Sequence, residues 1–333
     1  MEYKGVWILG EQERGKIQSV SYELLKRGKI LSEKLDVDLV AVVLGYQVSP
    51  EELNTLIHYG ADKVIYIDNP VFENFLPDPY IKTLTELIKK YGPEVLIASA
   101  TSTGRTVAPA VAIKCHAGLT ADCTGLDIEE GTRNLIQTRP AIGGNILATI
   151  KSPDHRPQMA TVRPHSNQPM EPDPEAKGDV IYEKVNADNL TTRTRQIAFI
   201  ESKEEGANIQ DAEIIVAGGK GCKTEENFKL IGELARILNG AVGASREAVD
   251  FGWVKYPHQV GLSGKTVSPN MYVCSGISGA VQHLAGIKTA HNIVAINNDP
   301  DAQIFQLADI GVVADMFDLL PLLIEKLKSR LNK

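Results

Sequence analysis

Small and polar residues directly follow every predicted strand in the C-terminal part of the chain. In chain order these segments are Gly218–Gly221, Gly243–Arg246, Ser275–Gly279, Asn297–Asp299 and the single residue Asp315. In open parallel α/β sheets, ligands bind outside the carboxyl ends of the strands. We therefore predict that one ligand contacts all five segments.

Two of these segments are glycine-rich turns that suit a phosphate. Ser278 and Gly279 lie between a predicted strand and a short helix, where backbone amides and the helix dipole favour an anion. Gly218–Gly221 is a second such turn, in which Lys220 adds a cation. Neither turn is a P-loop, because the GxxxxGK[ST] spacing is absent from the sequence. Such glycines also form turns that bind nothing, but the repeated pattern favours a phosphate-containing ligand.

Four side chains next to these turns have both a ligand-binding and a structural interpretation. Asn297 and Asp315 suit a ribose or an adenine edge, or they form an Asx-turn and a helix N-cap respectively. Arg246 suits the face of a planar electron-rich ring, or it is a solvated surface arginine. His283 lies one turn into the short helix, where it contacts the ligand or serves as a buried structural group.

The segment Tyr256–Val267 (YPHQVGLSGKTV) is a non-repetitive loop between two strand ends. It either folds over the ligand, with Gln259 and Ser263 as neutral donors, or only connects the strands. The sequence contains no recognisable Ser/His/Asp, Cys/His or paired-carboxylate arrangement, and its four cysteines form no CxxC pair. We therefore predict no catalytic side chain and no metal site, and we assign the chemistry to a bound cofactor.

The elements that position these residues alternate between strands and helices. Before residue 117 the predicted strands are Val6–Leu9, Leu39–Leu44, Lys63–Ile67 and Val95–Ala98. The predicted helices are Ser19–Leu35, one that opens at Ser49 and Pro50, Tyr80–Tyr91 and Thr103–Cys115. This order predicts a parallel sheet with helices on its faces.

Shorter predicted strands follow, at Asp122–Ile128, Leu135–Thr138, Ile146–Ile150, Gln158–Arg163, Val180–Val185 and Ile197–Ile200. The charged stretch at 201–211 is predicted to be a linker. After this stretch the predicted strands and helices alternate again. The strands are Glu213–Ala217, Ala241–Val242, Met271–Cys274, Ile293–Ile296 and Gly311–Ala314. The helices are Glu225–Leu238, Gly279–Leu284, Ala302–Leu307 and Leu319–Leu331. The predicted fold class is therefore α/β, with an N-terminal parallel α/β domain carrying added short strands (1–200) and a C-terminal doubly wound domain (212–333).

Composition excludes several classes of protein. The chain has 333 residues and a formal net charge of −7, which disfavours nucleic-acid binding. It contains no apolar run of the roughly 18 residues that a membrane span needs. The N-terminus has no signal-peptide pattern, and the dispersed cysteines are typical of a reducing compartment. We therefore expect a cytoplasmic protein that acts on small molecules or other proteins.

The segment Met271–Asn297 (MYVCSGISGAVQHLAGIKTAHNIVAIN) resembles the signature of the electron transfer flavoprotein alpha subunit family. The resemblance extends to VAGGKGCKTEENFKL, AVGASREAVD, QVGLSGKTV and NNDPDAQIFQLADIGVVAD, and in the first domain to RPAIGGNILATI and RPQMATVRP. It implies a heterodimer in which the first domain of this chain packs on a beta subunit. It also implies one FAD in the C-terminal domain, a second FAD or an AMP in the beta subunit, and electron transfer between dehydrogenases, such as acyl-CoA dehydrogenase, and other acceptors.

The resemblance also assigns FAD contacts to matching positions. The pyrophosphate contacts are Ser278, Gly279, Ala280, Val281 and Gln282, with Lys220 and Ser245 nearby. The adenosine contacts are Asn297 and Asp315. The contacts to the isoalloxazine ring are Arg246 over the ring, Ser263 at N5, a donating or protonated His283 near the C2 carbonyl, and Gln259, Val260, Gly261 and Leu262 in the loop.

The loop Tyr256–Val267, with Ser263 where many members have threonine, looks more like the electron-bifurcating type of this family. That type oxidises NADH together with the beta subunit, and its low-potential acceptor is ferredoxin or flavodoxin. Two other functions remain open from the residues alone. One is a self-contained NAD- or thiamine-type enzyme that uses the same cleft. The other is a regulatory nucleotide-binding module on the N-terminal sheet, although its first turn, Gly10–Gly15 (GEQERG), is acidic.

Overall fold

The computed structural model describes residues 3–140, 147–164, 166–198, 209–210 and 212–331. The chain divides into two compact units, Met1–Ile200 and Glu201–Lys333. Most of the predicted linker (201–211) lies outside the described residues. Ile209, which is described, is buried in the core of the second unit.

The first unit consists of strands β1 to β12 and helices α1 to α4. Its strands are β1 (Val6–Gly10), β2 (Gln12–Glu13), β3 (Lys16–Ile17), β4 (Leu39–Gly45), β5 (Lys63–Asp68), β6 (Val95–Ser99), β7 (Leu119–Cys123), β8 (Gly125–Ile128), β9 (Leu135–Pro140), β10 (Leu147–Ile150), β11 (Gln158–Val162) and β12 (Asp179–Tyr182). Its helices are α1 (Ser19–Leu35), α2 (Pro50–His58), α3 (Pro77–Tyr91) and α4 (Ser102–Lys114).

Seven of these strands form one parallel sheet in the order β12-β5-β4-β1-β6-β11-β7. Every residue of β1 and β4 is buried, as expected for central strands that are covered on both faces. Along β1, Val6 and Ile8 pack in one hydrophobic cluster while Trp7 and Leu9 pack in another. Helices α1 and α2 contribute to the first cluster and α3 and α4 to the second, so the sheet lies between two helical layers.

The region of short strands differs from the prediction at two places. Asp122, which lies inside β7, has a positive φ of 61°, and its carboxylate pairs with Arg163. The single strand predicted at Asp122–Ile128 is two strands, because β7 ends at Cys123 and β8 begins at Gly125. As a result β7 joins the large sheet, whereas β8 joins a separate antiparallel sheet with β9 and β10. The strand predicted at 197–200 is also wrong where it is described, because Ile197 is 90% exposed and belongs to no strand, while 199 and 200 lie outside the described residues.

The second unit is a five-stranded parallel sheet in the order β14-β13-β15-β16-β17. Its strands are β13 (Ile214–Gly218), β14 (Ala241–Ala244), β15 (Met271–Ser275), β16 (Ile293–Asn297) and β17 (Ile310–Val313). Its helices are α5 (Glu225–Ile237), α6 (Arg246–Asp250), α7 (Val281–Leu284) and α8 (Met316–Leu331). The predicted helix at Ala302–Leu307 is a single 3-10 turn, Gln303–Gln306.

The chain leaves β13 toward β14 on one side and returns to β15 on the other. This reversal makes the sheet doubly wound, as predicted, and places a topological switch point between β13 and β15. Gly218 and Ser275, the last residues of these two strands, are register partners at that point. The polar segments that follow both strands therefore meet at one end of the sheet.

Among the described residues, no helix is long and apolar enough to cross a membrane.

Candidate functional site

A cleft of about 810 Å³ opens at the carboxyl ends of the strands in the second unit. Its size falls within the range of about 300–1,000 Å³ that is typical of ligand pockets. Segments after β13, β14, β15 and β16 line it, together with the loop before β15. The structure thus brings four of the five predicted strand-end segments to one site.

Most of the predicted site residues line this cleft. They are Lys220, Ser245, Arg246, Val260, Gly261, Leu262, Ser263, Ser278, Ala280, Gln282, His283 and Asn297. The predicted residues that do not line it are Gln259, Gly279, Val281 and Asp315. The cleft is also lined by other members of the predicted strand-end segments, namely Gly221, Gly276, Ile277, Asn298 and Asp299. Three further lining residues, Lys223, Glu247 and Ala302, were not predicted.

The two glycine turns pack directly against each other. The amide of Gly221 donates to the carbonyl of Gly276 at 2.9 Å, and Gly276 has a φ of +64°. A Cβ atom at Gly221 would lie 2.5 Å from the Cα of Gly276. Gly221 and Gly276 are therefore required because two backbones touch at this point, whether or not the turns also bind an anion.

Gly279 has a structural role that its sequence position did not reveal. Its φ is +85°, and a Cβ atom there would lie 2.2 Å from the amide nitrogen of Ile304. The neighbouring Ser278 carbonyl accepts a hydrogen bond from that same amide at 3.1 Å. Gly279 thus packs against the segment before β17 instead of facing the cleft.

Helix α7 is shorter than predicted, because it begins at Val281 and not at Gly279. Four residues generate little macrodipole, so an anion here would bind to individual amides. In the described part of the chain, the amides of Ser278, Gly279, Val281 and Gln282 have no protein acceptor. Val281 itself is 44% exposed and is not among the residues that line the cleft.

Asn297 and Asp315 both adopt the structural roles that the sequence left open. The Asn297 Oδ1 accepts a hydrogen bond from the Asp299 amide at 3.0 Å, and its Nδ2 donates to the Ile277 carbonyl at 2.9 Å. Asp315 Oδ1 accepts from the Phe317 amide at 2.9 Å and so caps α8. Asn297 also lines the cleft, whereas Asp315 does not.

Basic side chains lie at the rim of the cleft in exposed ion pairs. Lys220 Nζ is 3.2 Å from Glu247 Oε1, and Arg246 Nε is 3.4 Å from Asp250 Oδ2. The Arg246 side chain is 71% exposed. Exposed pairs of this kind are worth at most about 1 kcal/mol, so a bound anion can readily replace the carboxylate partner. Lys223 adds a third cation, with its Nζ 4.8 Å from the centre of the Phe317 ring.

The loop Tyr256–Val267 is held by several hydrogen bonds and forms one wall of the cleft. The Leu262 amide donates to the Gln282 carbonyl at 2.8 Å. The Tyr256 hydroxyl donates to the Ser263 carbonyl at 2.9 Å. Gln259 is buried behind this wall, and its Nε2 donates to Ser263 Oγ at 3.0 Å. Gln259 therefore supports Ser263 and does not itself reach the cleft.

His283 is a buried neutral side chain at the same wall. It is only 6% exposed, and its Nε2 lies 3.0 Å from the Tyr272 hydroxyl. Burial lowers the pKa of His283 to about 4, against the opposing effect of the nearby Val260 carbonyl. Of the two states expected from the resemblance, a neutral donor fits this environment and a protonated ring does not.

The residues of the cleft fit a diphosphate-containing ligand with a polar ring system. Within the described part of the chain, His283 Nδ1 is buried and has no hydrogen-bond partner. Unpaired amides and three cations are available for a diphosphate. The described residues include no cluster of three or more His, Cys, Asp or Glu that would hold a metal ion.

The sequence matches two known domain families. Residues 6–188 match the Electron transfer flavoprotein domain, and residues 208–288 match the Electron transfer flavoprotein FAD-binding domain. The second match contains both glycine turns, the loop Tyr256–Val267 and His283.

Full-length relatives agree with these matches. The electron transfer flavoprotein subunit alpha of Thermoanaerobacterium thermosaccharolyticum is 46% identical over 329 residues, covering 98% of this chain and 99% of that protein. The protein of the same name from Megasphaera elsdenii is 44% identical over 331 residues, covering 99% of this chain and 98% of that protein. Protein FixB of Azorhizobium caulinodans is 40% identical over 333 residues, covering 99% of this chain and 90% of that protein.

The two domain matches cover most of the chain, and alpha subunits align with nearly all of it. The chain therefore belongs to the electron transfer flavoprotein alpha subunit family.

Proposed function

We propose that this chain is the alpha subunit of a heterodimeric electron transfer flavoprotein and binds one FAD in the cleft of its second unit. The observation that carries the proposal is the cleft at the switch point between β13 and β15. There, two glycine turns, three cations and the unpartnered Nδ1 of His283 come together. A flavin supplies one- and two-electron chemistry, so the protein needs no acid or base of its own.

Different residues of the chain would bind different parts of FAD. The turn of Ser278 to Gln282 and Lys220 would hold the pyrophosphate, with Ser245 at the start of α6. Asn297, at the end of β16, would face the adenosine portion. We retain Asp315 only as a cap that positions this end of the sheet, since it does not line the cleft.

Arg246, Ser263 and His283 would surround the ring system. The exposed Arg246 can exchange Asp250 for a ring that gains negative charge. The Ser263 hydroxyl, supported by Gln259, would donate to N5, and His283 would donate to the C2 carbonyl. Fixed donors and charges around a group that becomes more negative favour its reduction.

We further propose that a beta subunit completes the protein and holds a second FAD or an AMP. In the first unit, Ile113, Leu147 and Tyr182 are apolar side chains that are each at least 60% exposed, and a partner would be expected to cover some of them. The electron donors would be flavin dehydrogenases, such as acyl-CoA dehydrogenase. Ser263 and the loop around it favour the bifurcating type, with NADH oxidation in the complex and ferredoxin or flavodoxin as an acceptor. We place the complex in the cytoplasm.

The decisive experiment is co-expression with a beta subunit, followed by a visible spectrum and chromatography of the released nucleotides. We expect two FAD per heterodimer for a bifurcating complex, or one FAD and one AMP for an ordinary one. The Lys220→Ala variant should hold FAD less tightly than wild type at low salt, and this difference should shrink as salt is raised, whereas Lys26→Ala on the first unit should not change FAD binding. A complex that purifies with its beta subunit but contains no flavin would contradict the proposed function.

A further inference from the structure

Tyr272 and His283 form a buried pair behind the cleft. The Tyr272 hydroxyl and His283 Nε2 are 3.0 Å apart, and the two residues are 0% and 6% exposed. Among the described residues, the other ring nitrogen, Nδ1, is buried and has no hydrogen-bond partner. His283 is one of the residues that line the cleft, and the Val260 carbonyl lies near its ring.

The position of the histidine proton decides whether Nδ1 donates or accepts. A neutral imidazole has one protonated nitrogen, and the other nitrogen is an acceptor. With the proton on Nε2, the ring donates to the Tyr272 oxygen, and both the phenol proton and Nδ1 are left without partners. With the proton on Nδ1, the Tyr272 hydroxyl donates to Nε2, and only the Nδ1 proton is unpaired. The second arrangement leaves fewer buried polar groups unsatisfied and is therefore favoured.

The surroundings keep both groups in the states that this arrangement needs. Complete burial raises the pKa of Tyr272 well above its usual value, so the phenol keeps its proton. Burial lowers the pKa of His283 to about 4, so the ring carries a single proton at neutral pH. Tyr272 is the second residue of β15 and pairs with Ile215 of β13 and Ile293 of β16, so its backbone is held on both sides.

We propose that Tyr272 is a positioning residue that holds the proton of His283 on Nδ1, so that the ring presents an N–H donor to the cleft. In the proposed function, which this inference deepens, the acceptor is a carbonyl oxygen of the flavin that becomes more negative on reduction. An N–H donor stabilises that oxygen, whereas a bare Nδ1 would repel it. Tyr272 acts only through His283.

The first test reads the tautomer directly and needs no bound flavin. The full heterodimer is labelled with ¹⁵N-histidine, and the His283 ring signals are assigned by their loss in His283→Asn. We expect a protonated Nδ1 and a bare Nε2 in the wild-type protein. A wild-type ring with its proton on Nε2 would overturn the proposal without any Tyr272 variant.

The matched variants are Tyr272→Phe and Tyr80→Phe. Both remove one buried hydroxyl, but that of Tyr80 donates to the Leu44 carbonyl in the first unit. In Tyr272→Phe, the ratio of the Nδ1–H to the Nε2–H form should fall about fivefold, as expected for the loss of one hydrogen bond. Tyr80→Phe should leave the ratio unchanged. An unchanged ratio in Tyr272→Phe would also overturn the proposal.

The second test measures the reduction potential of the flavin in the same proteins. Tyr272→Phe should lower the equilibrium constant for flavin reduction several-fold, and Tyr80→Phe should not alter it. If Tyr272→Phe changes the tautomer ratio of His283 but leaves the flavin reduction potential as in wild type, the claim that His283 donates to the flavin is overturned. A complex that lacks flavin would contradict the proposed function, and the tautomer in that complex would still decide the role of Tyr272.

Discussion

Gln259 donates a hydrogen bond from its buried Nε2 to the hydroxyl oxygen of Ser263 at 3.0 Å. The backbone carbonyl of Gln259 also accepts a hydrogen bond from the Lys265 amide at 2.7 Å. The side chain and the backbone of Gln259 therefore both stabilise the same loop. Because Ser263 Oγ accepts from Gln259, its own proton is free to point elsewhere. Gln259 thus makes Ser263 a donor at the wall of the cleft without lining the cleft itself.

We expect Gln259→Met to weaken the hydrogen bond that the Ser263 hydroxyl would donate to the flavin, while the loop remains folded. Methionine keeps the length of the side chain but removes the donor, which costs about 1 kcal/mol for one hydrogen bond. The measured quantities are the FAD dissociation constant and the flavin potential of the heterodimer. A double-mutant cycle with Ser263→Ala tests the mechanism, because Gln259→Met should have little further effect in the Ser263→Ala background. Fully additive effects would refute the coupling.

We expect Arg246→Ala to retain FAD but to lower the flavin reduction potential. The guanidinium is exposed and pairs with Asp250 at 3.4 Å, a weak contact that a ligand ring can replace. The loss of roughly 2 kcal/mol of charge interaction corresponds to a shift of about 90 mV in a one-electron potential. Spectroelectrochemical titration measures this shift, with Asp250→Asn as the control that alters the ion pair but leaves the cation. Equal potentials in wild type and Arg246→Ala would rule out the assigned role.

We expect Gly279→Ala to destabilise the second unit whether or not a ligand is bound. The positive φ of 85° and the 2.2 Å approach to the Ile304 nitrogen leave no room for a Cβ atom. The cost should be about 1–3 kcal/mol or more, measured by chemical denaturation of the flavin-free chain. Gly232→Ala in α5 is the matched control, because a Cβ atom there meets nothing within 4 Å. That control should be neutral or stabilising by up to about 1 kcal/mol.

The stability of the first unit should depend on Glu11, whose carboxyl group follows β1. Burial raises the pKa of Glu11 to about 7, against a hydrogen bond from the Thr101 hydroxyl at 2.6 Å. The folded state therefore binds a proton more tightly than the unfolded state, whose pKa is near the ordinary value of 4.5. The contribution of this protonated carboxyl to the free energy of unfolding is fully present below pH 4.5 and is lost as the pH rises through about 7.

We accordingly expect Glu11→Gln to stabilise the first unit by one to a few kcal/mol near pH 8 and to be nearly neutral near pH 4. Glutamine can still accept from Thr101 but carries no charge to bury. Urea denaturation followed by Trp7 fluorescence, in a Trp253→Phe background, reports on this unit. Glu13→Gln, at an exposed position two residues later, is the control and should show no such pH dependence. Equal effects of Glu11→Gln at both pH values would contradict the assigned pKa.

Several features of the fold and site follow from local sequence alone. The apolar run at Leu39–Gly45 specifies a covered parallel strand, and the apolar stripe of Ser19–Leu35 gives a helix with the predicted bounds. Ser49 caps α2 and Thr224 caps α5, because a hydroxyl oxygen at the N-cap satisfies a free amide of the first turn. Small and polar residues after successive strands were enough to locate the cleft, because parallel strands all end at the same edge of their sheet.

The tertiary structure decided the features that depend on residues distant in sequence. Strand β11 inserts between β6 and β7, and Asp122 of β7 forms an ion pair with Arg163, 41 residues later. Gln259 is buried behind Ser263, and Gly279 meets Ile304, only because separate loops pack together at the end of the sheet. Tyr272 reaches His283 from a strand that alternates its side chains between two faces. Local periodicity predicts which face a side chain occupies, but its hydrogen-bond partner is determined by the packing of elements across that face.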